Sequence, residues 1–222
     1  MNHVKSYFFD RFNTFSLLFL SSTIALLLLM MRVKFTHSFY LMFMVWNLFL
    51  AFIPFAITAY LNFRLTPLTN WKLILCTGIW ILFLPNAPYM ITDLIHLFGY
   101  KSIFWLDSIL ILTFAINGLI FYFISVRDMK KFLKQYTAAF WRRTFFTCLP
   151  LLIAFGVYIG RFQRWNSWDI ITNPGGLLVD MSGLLLNPVQ NKHAWLFIVV
   201  FTLLLITVKF FLEKLKFFNK LN

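Results

Sequence analysis

Apolar residues run along this chain in six long blocks, separated by short polar or charged connections. The blocks cover about Phe12 to Met31, Ser38 to Leu61, Leu73 to Ile91, Ile103 to Val126, Thr144 to Gly160 and Ala194 to Leu212. Each approaches the roughly 20 residues that a helix needs to cross a bilayer, and each is too long for a strand. The pattern predicts an all-α fold: a polytopic transmembrane helix bundle of six spans, forming one domain over residues 1–222. The first block is too long for the apolar core of a cleaved signal peptide, and no A-x-A site follows it. It is expected to stay as a signal anchor. The longest connection, Arg161 to His193, is too short and too apolar to fold alone.

The third block is interrupted by Leu84-Pro85-Asn86-Ala87-Pro88-Tyr89, followed by Thr92, Asp93 and His96. Two prolines three apart free backbone groups and cannot sit inside a regular helix. The span is therefore expected to break at Pro85–Pro88. Asn86 would cap a new helix beginning at Ala87 and Pro88, and Gly99 would stop it. At about 100° per residue, Tyr89, Asp93, His96 and Tyr100 share one face of that helix. Met90, Ile91, Leu94, Leu97 and Phe98 form the other. A polar stripe on an apolar helix faces protein or water. Counted from Lys72 at about 1.5 Å per residue, Asp93 and His96 fall near the far boundary of the hydrocarbon.

A second polar stretch, Gly160-Arg161-Phe162-Gln163-Arg164-Trp165-Asn166-Ser167-Trp168-Asp169, follows the fifth block. Arg161 and Arg164 could hold a phosphate or carboxylate, with Trp165 and Trp168 stacked on them. The alternative is structural: Arg complements the C-terminal dipole of a helix, and Trp belongs to the interfacial belt. Asp107 opens the fourth span, either as an acid at a helix N-terminus or as a site member. Asp180 follows the turn signal Asn173-Pro174-Gly175-Gly176, and Leu177 to Leu186 would lie along or dip into the membrane. Asn47 and Asn117 are read as interhelical hydrogen-bond donors, and Gly156 with Gly160 as a GxxxG packing face. Cys76 and Cys148 fit no CxxC or zinc spacing and are read as buried small hydrophobes.

Composition narrows the class. The chain is 61% apolar and 21% aromatic, with 12% charged residues and a mean hydropathy of +0.79. That excludes a soluble globular enzyme, a disordered tail and a disulfide scaffold. A net charge of +13 would suggest nucleic acid in a soluble chain, but its distribution argues against such a partner. With both termini cytoplasmic, fourteen of the twenty basic residues fall inside and six, Arg32 of the first outer connection among them, fall outside, as the positive-inside rule requires. The connection Arg127 to Arg143 reads as a basic amphipathic interfacial helix. Met129, Phe132, Leu133, Tyr136 and Phe140 recur on it at helical spacing, among Lys130, Lys131, Lys134, Arg142 and Arg143. Such a helix binds anionic inner-leaflet lipid, or simply anchors the topology. On the outer side, Asp93, Asp107, Asp169 and Asp180 are joined by His96, Arg161 and Arg164.

The segments LPNAPYMITDLIHL and GRFQRWNSWD resemble the paired signatures of a bacterial integral membrane family, domain of unknown function 1361. The resemblance covers most of the chain from the second span to the long outer connection. Its positions here are Asn86, Pro88, Tyr89, Thr92, Asp93 and His96, then Arg161, Arg164, Trp165, Asn166, Trp168 and Asp169. It implies a protein of the bacterial inner membrane, and no particular reaction.

Three functional readings stand side by side. In the first, a membrane enzyme acts on a lipid-linked or anionic substrate at the outer face. Asp93, His96 and Asp169 would be its catalytic groups. Arg161, Arg164, Asn86, Tyr89, Trp165, Asn166, Trp168 and Asp107 would bind substrate. A metal on Asp93, His96 and Asp169 ranks lower, because Asp-x-x-His is the only close ligand pair. No residue pattern names a cofactor. In the second reading the broken helix belongs to a small transporter or flippase. No internal repeat supports that, and a homo-oligomer would be needed to enlarge so small a bundle. In the third, the clusters are an ion-pair network in a non-catalytic assembly or sensor subunit.

Overall fold

The computed structural model describes residues 3–98 and 103–215; Gly99, Tyr100, Lys101, Lys216 and Lys220 lie outside the described residues. Every regular element among the described residues is helical. A short α1 (His3–Asp10) leads into α2 (Phe12–Thr36) and α3 (Phe43–Phe63). Then come α4 (Asn70–Phe83), the single turn α5 (Asn86–Tyr89) and a 3₁₀ helix (Met90–Phe98). α6 (Phe104–Phe132) and α7 (Ala139–Phe162) follow, then the short α8 (Asp169–Thr172) and α9 (Pro174–Leu186), and finally α10 (Lys192–Lys214). Among the described residues, six segments are long and apolar enough to cross a membrane: Phe12–Thr36, Phe43–Phe63, Asn70–Leu97, Phe104–Gln135, Ala139–Phe162 and Lys192–Lys214. The protein is an all-α, multi-pass membrane bundle, and its third span is broken where Pro85 and Pro88 fall.

Several boundaries differ from the sequence reading. Residues 127–143 do not form an interfacial helix of their own. α6 continues through Arg127 to Phe132, a 3₁₀ turn covers Leu133–Gln135, and α7 begins at Ala139. The first part of that segment's apolar side is taken into the bundle, with Met129, Phe132 and Leu133 buried, whereas Phe140 is exposed. Flanking Lys and Arg do not end a helix whose backbone bonds are internal; they carry it into the interface with their charges outward. α2 likewise runs on past Arg32 and Lys34, with Arg32 turned inward to Asp107. Asn173 and Pro174, read as a turn, start α9: Asn173 accepts from Gly176 N–H at 3.1 Å, and Pro174 is its first residue. Cys76 is half-buried and Cys148 exposed, so neither is a fully buried hydrophobe.

The centre of the bundle is α6, the most buried of the six spans. It packs on α2, α3, α5 and the 3₁₀ helix, while α7 pairs with α10. The α7–α10 seam is aromatic, with Phe162 stacked on Tyr158 at 4.9 Å and edge-on to Phe197 at 5.1 Å. On the α4 side, Trp80 is fully buried and donates its indole N–H to Ser125 Oγ at 2.8 Å.

Helices α2 and α6 run antiparallel and are tied at three levels. Arg11 pairs with Asp128 at one end. Asn117 meets Ser21 and Ser22 in the middle, donating to the Ser21 carbonyl at 3.1 Å and accepting from Ser22 Oγ at 3.4 Å. Arg32 Nε donates to Asp107 Oδ1 at 2.9 Å at the other end. Arg11 and Arg32 are 21 residues apart, as are Asp107 and Asp128. Twenty-one residues make six turns at about 3.5 residues per turn, the effective period of a left-handed helix pair. They also span about 31 Å, close to the thickness of the hydrocarbon. Both ion pairs therefore sit near the two boundaries of the apolar slab.

Arg32 is fully buried and Asp107 nearly so, which sets up an asymmetric mutational response. Removing one partner strands a buried charge, whereas replacing both with apolar residues does not. Arg32→Ala is expected to lower stability by about 3–5 kcal/mol. The double variant Arg32→Met/Asp107→Leu is expected to recover most of that loss. Thermal unfolding in detergent, followed by size-exclusion recovery, measures both; a double variant as unstable as the single one would refute the account.

Candidate functional site

The break in the third span is where the sequence motifs meet. Pro85 and Pro88 lack the N–H groups that would continue the α4 ladder. The N–H of Ala87 turns to the Leu84 carbonyl at 3.2 Å, and that of Tyr89 to the Pro85 carbonyl at 3.0 Å. Two carbonyls of the last α4 turn are satisfied by side chains instead. Asn86 Nδ2 donates back to the Phe83 carbonyl at 2.9 Å, and Ser167 Oγ donates to the Leu82 carbonyl at 3.0 Å. Asn86 Nδ2 also donates to Ser167 Oγ at 3.0 Å. Asn86 is thus no N-cap, since it makes no bond forward into α5. It repairs the helix behind it.

Two glycines allow the break to be buried. A Cβ on Gly118 of α6 would lie 2.2 Å from the Ala87 carbonyl oxygen, and one on Gly156 of α7 would lie 2.7 Å from Pro85 Cγ. A Cβ on Gly160 would stand 3.5 Å from the Trp165 carbonyl oxygen and 3.7 Å from Tyr89. The GxxxG face of α7 therefore packs on the break and on Tyr89, not on another long helix.

Beyond the break the chain is 3₁₀, so the expected α-helical phase does not apply. At about three residues per turn, Asp93 and His96 are eclipsed and Tyr89 is rotated away from them. Arg161, at the end of α7, draws the pieces together. Its Nη1 donates to Tyr89 Oη at 3.0 Å and its Nη2 to the Thr92 carbonyl at 2.6 Å. Nη2 also lies 3.1 Å from Asp93 Oδ1. The guanidinium stands over the Tyr89 ring at 5.1 Å. Asp93 is fully buried, and its Oδ2 accepts from Asn47 Nδ2 at 2.9 Å. His96 bonds Tyr40, Nδ1 to Oη at 3.1 Å, with its ring against Phe43.

The remaining residues of the second motif shape the chain after α7. Arg164 has φ +62°, one of two positive-φ residues outside glycine among the described residues. It follows the C-cap Gln163 in the left-handed conformation, and the N–H of the next residue, Trp165, reaches back to the Ile159 carbonyl at 3.4 Å. Asp169 is turned into its own loop. It accepts from Asn166 N–H at 2.6 Å and from Thr172 Oγ1 at 2.9 Å, the first of which holds its carboxyl below the usual carboxylate range. Trp165 Nε1 donates to Asp180 Oδ2 at 2.8 Å, fastening this loop to α9.

Next to the break lies a cavity of about 330 Å³ between α3, α4, α7 and α9. Leu50, Ile81, Ile153, Phe155, Leu177 and Met181 give its apolar walls. Asn47, Asn86, Tyr89, Asn166 and Ser167 give its polar end, beside Trp165. Trp46, Leu152 and Ile170 line it and are also exposed on the bundle surface, so it opens sideways.

Of the residues expected to bind substrate, Asn86, Tyr89, Trp165 and Asn166 stand on this wall. Arg161 lies behind Tyr89. Arg164, Trp168 and Asp107 are not on the wall, and Asp107 pairs with Arg32. Asp93, His96 and Asp169, expected as catalytic groups, have separate partners. Among the described residues no three His, Cys, Asp or Glu side chains gather as metal ligands. Sequence reasoning missed Arg32, taken for a loop cation, and Trp46. It saw Asn47 only as a donor between helices, and no local signal placed it against Asp93.

The family model described as protein of unknown function (DUF1361) matches residues 46–208. The chain belongs to that family, and the matched region holds the break, the Arg161 cluster and the cavity, while α2 precedes it. No curated protein and no solved structure matches the chain.

Ser167 offers a direct test of the repaired break. Ser167→Ala leaves the Leu82 carbonyl without its donor in an apolar setting, at an expected cost of about 1–2 kcal/mol. Ser167→Thr, which keeps the hydroxyl, is expected to lose much less. Melting temperatures of the three purified proteins decide this; equal values for Ala and wild type would mean that the hydroxyl does not hold the break.

Proposed function

We propose that the protein binds a lipid-type amphiphile in the cavity beside the helix break, with the apolar chain inside and the head at the polar end. The observation that carries this reading is the cavity itself, about 330 Å³, with apolar walls that end at Asn47, Asn86, Tyr89, Asn166 and Ser167. Its size lies at the small end of ligand pockets, which run from roughly 300 to 1,000 Å³. The sideways opening suits a ligand that arrives through the membrane. The basic excess around α1, the α6–α7 turn and the end of α10 supports a cytoplasmic position for that side. The cavity then faces the outer leaflet of a bacterial inner membrane.

The polar groups available to a head group are amides, hydroxyls and an indole. Arg161 already serves Tyr89, Thr92 and Asp93, so the head is recognised by hydrogen bonds rather than by a guanidinium clamp. Asp93 supports the site through Asn47 and does not face the ligand. On this reading the protein binds or presents a lipid-linked molecule, and the cluster behind the wall holds the binding surface in shape.

Filling the mouth tests the reading without disturbing the core. Leu152 and Ile170 are about half exposed, so Leu152→Trp and Ile170→Trp are expected to fold normally. Native mass spectrometry of protein extracted from membranes is expected to show a retained lipid-sized ligand on the wild type and several-fold less on both variants. Equal retention by well-folded variants, or no retained ligand on the wild type, would refute it.

A further inference from the structure

A second, smaller cavity of about 150 Å³ lies at the opposite end of the bundle, between α6, α7 and α10. Arg127 and Lys130 of α6 face Lys209 of α10 across its mouth, with Glu213 beside them. Phe146, Leu149 and Leu205 form its apolar floor. We propose that this groove is a binding site for one anionic phospholipid, its phosphate held by Arg127, Lys130 and Lys209 and an acyl chain laid on the floor.

The placement fits that occupant in depth, charge and shape. Arg127 adjoins Asp128, whose pair with Arg11 marks one boundary of the 31 Å slab between the two α2–α6 ion pairs, at about 1.5 Å per residue. The cations are therefore at head-group level, and the floor residues lie towards the hydrocarbon. Arg127 and Lys130 are three apart on α6, and Lys209 and Glu213 four apart on α10, so each pair projects from one helix face. Of the charged residues lining the groove, three are cations and one, Glu213, is a carboxylate; Arg127 also pairs with Asp128 at 3.4 Å, so Lys130 and Lys209 carry the excess positive charge. Basic pockets between transmembrane helices recognise anionic head groups in this way. An apolar floor would add nothing to the binding of a free anion, so the groove commits to a lipid. The site is independent of the cavity beside the helix break, which lies at the other end.

This site differs from a diffuse basic surface. Lys131 and Lys134 are exposed at the same end but do not line the groove, and they supply the control. The full-length protein would be placed in phosphatidylcholine nanodiscs containing phosphatidylglycerol, and retained lipid read by native mass spectrometry. Preferential retention of phosphatidylglycerol is expected for the wild type. Lys130→Gln/Lys209→Gln is expected to weaken it roughly tenfold, and Lys131→Gln/Lys134→Gln to leave it nearly unchanged. Glu213→Gln removes the one carboxylate and is expected to tighten retention, a gain that loss of folding cannot imitate. Equal loss in both double variants, no preference over phosphatidylcholine, or equally effective competition by glycerol phosphate without chains would overturn the proposal. Retention of this lipid by Leu152→Trp separates the outcome from that of the first cavity.

Discussion

A backbone carbonyl inside hydrocarbon has no water to turn to, and each one left unpaired there costs several kcal/mol, order of magnitude. Pro85 and Pro88 break the α4 ladder at that depth, so the surrounding chain must supply donors. Ser167 and Asn86 take the carbonyls of Leu82 and Phe83, and Arg161 takes that of Thr92. One of the two motifs thus breaks a helix, and its own Asn86 repairs it together with Ser167 and Arg161 of the other. This dependence explains why residues some seventy to eighty positions apart are brought into direct contact, and why Gly118 and Gly156 must lack side chains where the break is packed. It also explains the cavity. Past the close approach of Pro85 to Gly156, the broken helix leaves a space lined by Asn86 and Ser167, two of the groups that do the propping.

The charges obey the same rule. Arg11–Asp128, Arg32–Asp107 and Arg161–Asp93 each join different parts of the bundle, and each removes a charge that could not stand alone in an apolar setting. A purely electrostatic reading of the sequence would assign such residues to a substrate. Their geometry ties them to the fold, with donors directed at chain carbonyls, carboxylates and a tyrosine. What remains on the cavity wall is neutral and hydrogen-bonding. The site's chemistry is therefore set by the residues left over once the buried charges are paired.

The helical architecture was legible because length and hydropathy act one residue at a time. The break was legible for a similar reason, since proline's missing N–H is local. Tertiary contact was harder to read. Asn86 has the composition of an N-cap, yet the nearest needy carbonyl lies behind it. Tyr89, Asp93, His96 and Tyr100 share a face only if the chain is α-helical, and it is 3₁₀ over Met90–Phe98. Arg32 looked like a loop cation because apolar runs were trimmed at their first charge, whereas the helix continues and buries it. The segment 127–143 has the periodicity of a surface helix, but periodicity does not say whether its apolar side meets lipid or the bundle, and Met129 and Phe132 meet the bundle.

The two ends of the bundle consequently solve different recognition problems. Near the break, the buried charges of Arg161 and Asp93 are consumed by tertiary structure and the cavity wall is neutral, so discrimination there rests on shape and on neutral hydrogen bonds, which reward a correct partner by leaving no buried polar atom unpaired. At the end of α6 and α10 the lysines Lys130 and Lys209 are exposed at the surface of the slab, where water solvates them and pairing is not required for folding. Cations free of a structural duty can be offered to a ligand, and cations buried in the fold cannot. Burial, more than residue type, therefore separates the arginines that build this protein from the lysines that face its surroundings.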